Sequence, residues 1–239
     1  VRLIINKTKA GLSKALNQGI GESKGEYIAR IDDDDIAMPD RLEKQVWLLE
    51  ERADISLVGS WQRHFGKEEW VHQPPETPEE MKAALLFKCD VCHSTIMFRK
   101  KDFVTRSLYY SPEYVSEDYE LWTRAIRELK FYTIQEVLGE YRVNGENITA
   151  RKLDKLESQQ RYIIAQTLKS LLHIDIPQED MILLAGWENP FLGSGSNQRR
   201  LREQEEELLQ KIEIQNKKYH AYDPEALNTT LNQRREWAG

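Results

Sequence analysis

Four consecutive aspartates, Asp32-Asp33-Asp34-Asp35, stand between Ile31 and the apolar stretch Ile36-Ala37-Met38. Adjacent carboxylates repel one another and bring no apolar surface to bury. A folded chain therefore holds such a run only where a cation or hydrogen-bond donors compensate the charge. The residues before it, Glu26 to Ile31, are β-branched and aromatic enough to read as a strand. Those after it, Met38-Pro39-Asp40, open a helix with proline in its first turn and Leu42, Val46 and Leu49 along one face. The acidic run thus falls at the carboxyl end of a strand. Hard carboxylate oxygens in that place suit Mn²⁺ or Mg²⁺, and such an ion can bridge to phosphates. The competing reading is a solvated acidic turn before a helix N-terminus, where aspartate is favoured in any case.

The rest of the first half alternates in the same way. Val1 to Ile5 reads as a strand, and Leu12, Ala15, Leu16 and Ile20 recur at helical spacing. Ile55 to Ser60 is a buried strand, His72 to Pro78 a loop, Glu79 to Phe87 a short helix and Ser94 to Phe98 a strand. Ser116 is placed to cap a helix whose face is Leu121, Trp122, Ala125, Ile126 and Leu129, and Phe131 to Ile134 is a further strand. Strand and helix in alternation predict an α/β chain with a mostly parallel sheet flanked by helices, binding ligands at the carboxyl ends of its strands. Beyond about Ala150 only helix is read, over Lys152 to Leu172 and Asn197 to Tyr219, with a Gly/Ser/Asn/Pro-rich linker from Asn189 to Asn197. Residues 1–149 are therefore expected as one core and 150–239 as a helical C-terminal extension. The stripe Leu201, Leu208, Leu209, Ile212 and Tyr219 predicts packing on that core or on a second copy of the chain.

Composition removes several classes. The 239 residues carry a net charge of −6 with the two signs interspersed, so no basic stripe exists for nucleic acid. No apolar run is long enough to cross a bilayer as a helix. Cys89 and Cys92 have CxxC spacing, but no second pair completes a zinc site, and they read as small residues near a strand in a reducing compartment. The expected location is cytoplasmic, with peripheral association at the membrane as the variant.

Several segments in order resemble the pattern of family 2 glycosyltransferases of the GT-A fold. They are Gly11-Leu12-Ser13 with Asn17 and Gly19-Ile20, then Lys24-Gly25-Glu26-Tyr27-Ile28, the four aspartates, and Pro39-Asp40-Arg41-Leu42-Glu43-Lys44-Gln45. Further on, Glu117-Asp118-Tyr119-Glu120-Leu121-Trp122 resembles that family's acceptor-side "ED" motif and Tyr141-Arg142 its "YR". The resemblance covers roughly residues 1 to 148. It enters the family pattern near the third strand, so the first strands of the nucleotide-binding half are expected to be missing.

This resemblance implies an inverting, metal-dependent glycosyltransferase that uses a nucleoside-diphosphate sugar and a glycan or lipid-linked acceptor. Asp32-Asp33-Asp34 would be the DxD motif. Asp34 and Asp32 then hold Mn²⁺ or Mg²⁺, and Asp32 and Asp33 contact the sugar nucleotide. Asp118 corresponds to the general base, ionised near a helix N-terminus, with Glu117 and His93 on the acceptor side and Arg142 toward phosphate. Where family members carry a histidine after "YR", this chain has Val143-Asn144-Gly145. Trp61, Trp70 and Trp122 are candidates for a sugar-stacking surface, with core packing as the alternative. A different class is also open: a catalytically incompetent relic that serves as an interaction module.

Overall fold

The computed structural model describes residues 2–144, 153–184 and 196–237. Its helices are α1 (Leu12–Glu22), α2 (Arg41–Glu51), α3 (Pro78–Ala84), α4 (Lys100–Thr105), α5 (Glu117–Ala125), α6 (Leu153–Leu172), α7 (Ser196–Tyr219) and α8 (Pro224–Trp237). The strands are β1 (Tyr27–Ala29), β2 (Ile36–Ala37), β3 (Ile55–Gly66), β4 (Trp70–His72), β5 (Met97–Arg99) and β6 (Lys130–Val143). Short 3₁₀ turns lie at His93–Thr95 and Gln178–Leu184. Thr77 and Glu80 form a capping box that starts α3 at Pro78, one residue earlier than the apolar pattern predicts.

The strands form one sheet in the order β1-β5-β3-β6-β2, with β4 paired to β3 outside this path. The α/β alternation is present, but the mostly parallel sheet is not: among the described strands only β3 and β6 run parallel, and the other pairings are antiparallel. A parallel pair needs a long crossover. β4 instead follows β3 through a tight hairpin, and β2, directly after the aspartates, pairs antiparallel with the distant β6. β5 lies between β1 and β3, antiparallel to both. Val1 to Ile5 also departs from expectation. Its described part, residues 2–5, is not a strand, and Leu3 and Ile5 are exposed. An apolar run becomes a strand only where a neighbouring edge takes up its backbone hydrogen bonds, and no described strand does so here.

The core is continuous from the sheet into the C-terminal helices. Phe98, Phe103, Trp122 and Phe131 belong to the same buried cluster as Ile164 and Leu168 of α6, Leu209 and Ile212 of α7 and Leu231 of α8. The stripe on α7 thus faces this chain's own core, except that Tyr219 stays 36% exposed. α8 has no counterpart in the sequence reading. The linker expected at Asn189 to Asn197 falls, through residue 195, outside the described residues.

Candidate active site

The acidic run forms a tight turn between β1 and β2, in which the Asp35 N–H donates to the Asp32 carbonyl at 3.3 Å. Arg41, at the start of α2, fixes the backbone around it. Its buried guanidinium donates to the carbonyls of Arg30 (2.7 Å), Ser94 (2.8 Å) and Ile96 (3.1 Å). Burial lowers the Arg41 pKa only to about 10, which leaves it cationic. Within the turn the four carboxylates have different surroundings. Asp32 is paired with Arg30 and accepts from Ser94 Oγ at 3.0 Å. Asp33 and Asp34 are exposed. Asp35 Oδ1 accepts the Arg142 backbone N–H at 3.0 Å, and burial raises the Asp35 pKa. Arg142 Nε donates to the Asp34 carbonyl at 3.0 Å, and its guanidinium carbon lies 4.6 Å from the centre of the Phe65 ring. Arg142 therefore holds the turn in place through its backbone.

Glu117 and Asp118 open α5, with Ser116 at the N-cap position but making no side-chain cap bond. The Tyr119 N–H donates to Asp118 Oδ1 at 2.7 Å, while Asp118 Oδ2 faces His93 Nδ1 at 3.9 Å. A helix N-terminus favours the charged carboxylate, yet burial outweighs it here and raises the Asp118 pKa above the ordinary value. Glu117, only 7% exposed, is pushed up to about 7 by burial and then by the neighbouring Asp118 charge. Burial holds His93 well below the usual histidine range, so its ring is neutral, and its Nε2 lies 2.8 Å from the Tyr110 hydroxyl. Arg30 stands between the two acidic groups: it pairs with Asp32, donates to Ser94 Oγ at 2.7 Å, and its charge offsets part of the rise that burial gives Glu117 and Asp118.

A cavity of about 520 Å³ joins these pieces, lined by Asp32, Asp33 and Asp34 on one side and by His93, Glu117 and Asp118 on another. Two elements far apart in sequence thus present carboxylates to one space. The family model described as "Glycosyl transferase family 2" matches residues 1–106. The match makes residues 1–106, of the 239, similar to that family. Among curated proteins, the putative glycosyltransferase EpsE of Bacillus subtilis is 34% identical over 155 residues, covering 63% of this chain and 55% of EpsE. The O-antigen biosynthesis glycosyltransferase WbnJ of Escherichia coli is 33% identical over 141 residues, covering 57% of this chain and 55% of WbnJ. The chain spans a little over half the length of these relatives. Among solved structures, S. aureus TarS 1-349 in complex with UDP-GlcNAc superposes with a TM-score of 0.56 at 12% identity, over 97% of this chain and 74% of that one. The fold is accordingly the GT-A-like one that the sequence resemblance implies.

The carboxylates of the turn can be weighed as donors to a metal ion. Among the described residues no group of three or more His, Cys, Asp or Glu is arranged to enclose one. A divalent ion bound with substrate phosphates needs only one or two protein carboxylates and keeps the rest of its shell for phosphate and water. Asp34 fits that demand: it is exposed on the cavity, and its carboxylate has no hydrogen-bond or ion-pair partner among the described residues. Asp32 also lines the cavity, with its oxygens engaged by Arg30 and Ser94. Of the candidate tryptophans, Trp122 is fully buried against Phe103 and Phe131, whereas Trp70 is 43% exposed. Sequence reasoning passed over Arg30, Ser94 and Tyr110, because a single arginine, serine or tyrosine carries no pattern of its own. The residues after Asn144, where a family histidine would fall, lie outside the described residues up to 152.

Proposed function

We propose that the chain acts as an inverting glycosyltransferase, moving a sugar from a nucleoside-diphosphate sugar to a hydroxyl of a glycan or lipid-linked acceptor. Residues 1–149 form the catalytic core in this reading and 150–239 a helical extension. The observation that carries it is the single cavity lined by the aspartate turn and by Glu117-Asp118. The relatives named for O-antigen and amylovoran biosynthesis support a polysaccharide precursor as acceptor.

Asp34, with Asp32, would hold Mn²⁺ or Mg²⁺, which would supply positive charge to offset the negative charge developing on the leaving diphosphate. Asp32 and Asp33 border the donor, and Arg142 keeps their turn in position through its bond to the Asp34 carbonyl. Asp118 takes the proton from the acceptor hydroxyl. As that oxygen bonds to the anomeric carbon, the bond from this carbon to the diphosphate oxygen breaks on the opposite face, and the configuration inverts. With Oδ1 held by the Tyr119 N–H at 2.7 Å and Oδ2 met only at 3.9 Å, by the Cys89 thiol and the His93 ring, Oδ2 is the oxygen proposed to receive the proton. The raised pKa makes Asp118 a stronger base than an ordinary aspartate, which suits a reaction near neutral pH.

Calorimetric titration of the chain and of Asp34→Ala with UDP, GDP and dTDP, each with and without Mn²⁺, tests the reading. One nucleotide should bind in a metal-dependent manner, and Asp34→Ala should weaken that binding about tenfold or more. Unchanged metal-dependent affinity in the variant overturns the metal assignment. No nucleotide binding by the unaltered chain leaves the interaction-module reading in its place.

A further inference from the structure

Beside the first cavity lies a second of about 510 Å³ that also reaches Asp118, His93 and Arg30. Its far wall is built by three strands in register. The β3–β4 hairpin pairs Gln62 with His72 and His64 with Trp70, and β6 pairs Tyr141 with His64. Side chains two apart on a strand share a face, and so do directly opposed residues. Gln62, His64, Trp70, His72 and Tyr141 therefore form one continuous surface, and all five line this cavity.

That surface has two properties of a carbohydrate platform. It is aromatic: the His64 and Trp70 rings stack at 4.0 Å and 18°, and Tyr141 leans on His64 at 5.0 Å. It also carries unmet hydrogen-bonding groups. Gln62 is 5% exposed, and among the described residues neither its amide Nε2 nor either ring nitrogen of His64 has a hydrogen-bond partner. Buried donors and acceptors are nearly always satisfied, so their presence on a cavity wall points to a ligand that completes them. A pyranose ring matches both properties, with C–H groups on a face for the aromatic rings and hydroxyls at the edge for amide and imidazole.

We infer that the Gln62–His64–Trp70 face is an acceptor subsite that binds a pyranose ring of the glycan next to the one attacked. This deepens the glycosyltransferase reading and rests on it. The placement favours acceptor over donor: Arg30, Asp32, His93 and Asp118 line both cavities, but the exposed Asp33 and Asp34, the second of them the proposed metal ligand, line only the first. A nucleobase stacked here would be on the base's side of the site and away from the exposed carboxylates that its diphosphate requires.

Saturation-transfer NMR on the chain tests the subsite with the methyl glycosides of glucose, galactose, mannose and N-acetylglucosamine, run beside UDP and GDP in Mg²⁺. At least one glycoside should receive saturation. Trp70→Ala and Gln62→Leu should each weaken its binding roughly fivefold, the scale of one stacking or hydrogen-bonding contact, while Trp70→Phe keeps most of it. Nucleotide signals should not change in any variant. If Trp70→Ala is unfolded by circular dichroism, the contrast between Gln62→Leu and Trp70→Phe decides. Glycoside signals that are absent from the unaltered chain, or unchanged by Gln62→Leu, overturn the subsite while nucleotide binding leaves the glycosyltransferase reading standing. Loss of nucleotide signal in Trp70→Phe or Gln62→Leu reassigns the face to the donor and also overturns it. Absence of nucleotide binding by the unaltered chain counts instead against the glycosyltransferase reading.

Discussion

On α7, Glu205, Glu206 and Glu213 each meet an arginine of α8, whereas Glu117 and Asp118 at the start of α5 and Asp35 in the aspartate turn are pressed into the fold with no arginine ion pair among the described residues. Glu205 receives Arg234 Nε at 2.7 Å, and the same guanidinium donates to the Leu183 carbonyl and lies over the Phe87 ring. Arg235 reaches both Glu206 and Glu213, which lowers the Glu206 pKa and raises its own. At the other region the directions reverse: burial raises Asp35, Glu117 and Asp118. A paired carboxylate is matched within the chain and serves the scaffold. A carboxylate raised by burial is maintained at a cost to stability, and such groups gather where a substrate or ion completes the site.

The largest effect expected from this contrast is on Asp118. Asp118→Asn should reduce sugar transfer by about 10²–10⁴-fold, the usual contribution of a general base, with donor binding by calorimetry nearly unchanged. Donor affinity that falls in step with rate would make Asp118 a structural group and erase the distinction between the regions.

Next is the scaffold side. Glu205→Ala removes the buried carboxylate to which Arg234 Nε donates at 2.7 Å and should cost about 3 kcal/mol of stability in urea unfolding. Nucleotide affinity of the folded variant should stay as it was. A large loss of affinity at constant stability would show that the α7–α8 pair also serves the site.

The smallest effect concerns Glu117 and depends on pH. Its pKa is about 7 in the fold, above the ordinary 4.5, so between those values the folded state binds more protons than the unfolded one. Stability from this group is fully present below about pH 4.5 and is lost as pH rises through about 7. Glu117→Gln removes that loss and should stabilise the chain by on the order of 2 kcal/mol at pH 8, with no gain at pH 4. Equal Tm shifts at both pH values would mean that Glu117 is not strained by burial.

Legibility in the sequence followed the length scale of each interaction. Helices α1, α2, α5, α6 and α7 were readable because their apolar spacing and end signals are local, and the family segments were readable because each is a short contiguous string. Strand direction was not. The alternation before β5 looks the same whether the chain returns parallel or antiparallel, and the apolar Val1 to Ile5 looks like a strand whether or not an edge receives it. Glu117 and Asp118 were identified by their motif, but the direction of their pKa shifts depends on how much protein covers them. His64, Trp70 and Gln62 share a face only because β3 and β4 pair in one register.

Taken alone, the sequence determined the α/β alternation, the acidic turn at the end of a strand, the resemblance to family 2 glycosyltransferases, and the identity of the candidate base. These follow from neighbours in the chain, where spacing and residue type are sufficient. The tertiary structure decided which carboxylates are compensated, that the aspartate turn and α5 open on one cavity, that the C-terminal helices complete the core, and that an aromatic wall stands beside Asp118. Each of these depends on residues tens of positions apart, and their energies come from burial and charge pairing, which exist only once the chain has closed on itself.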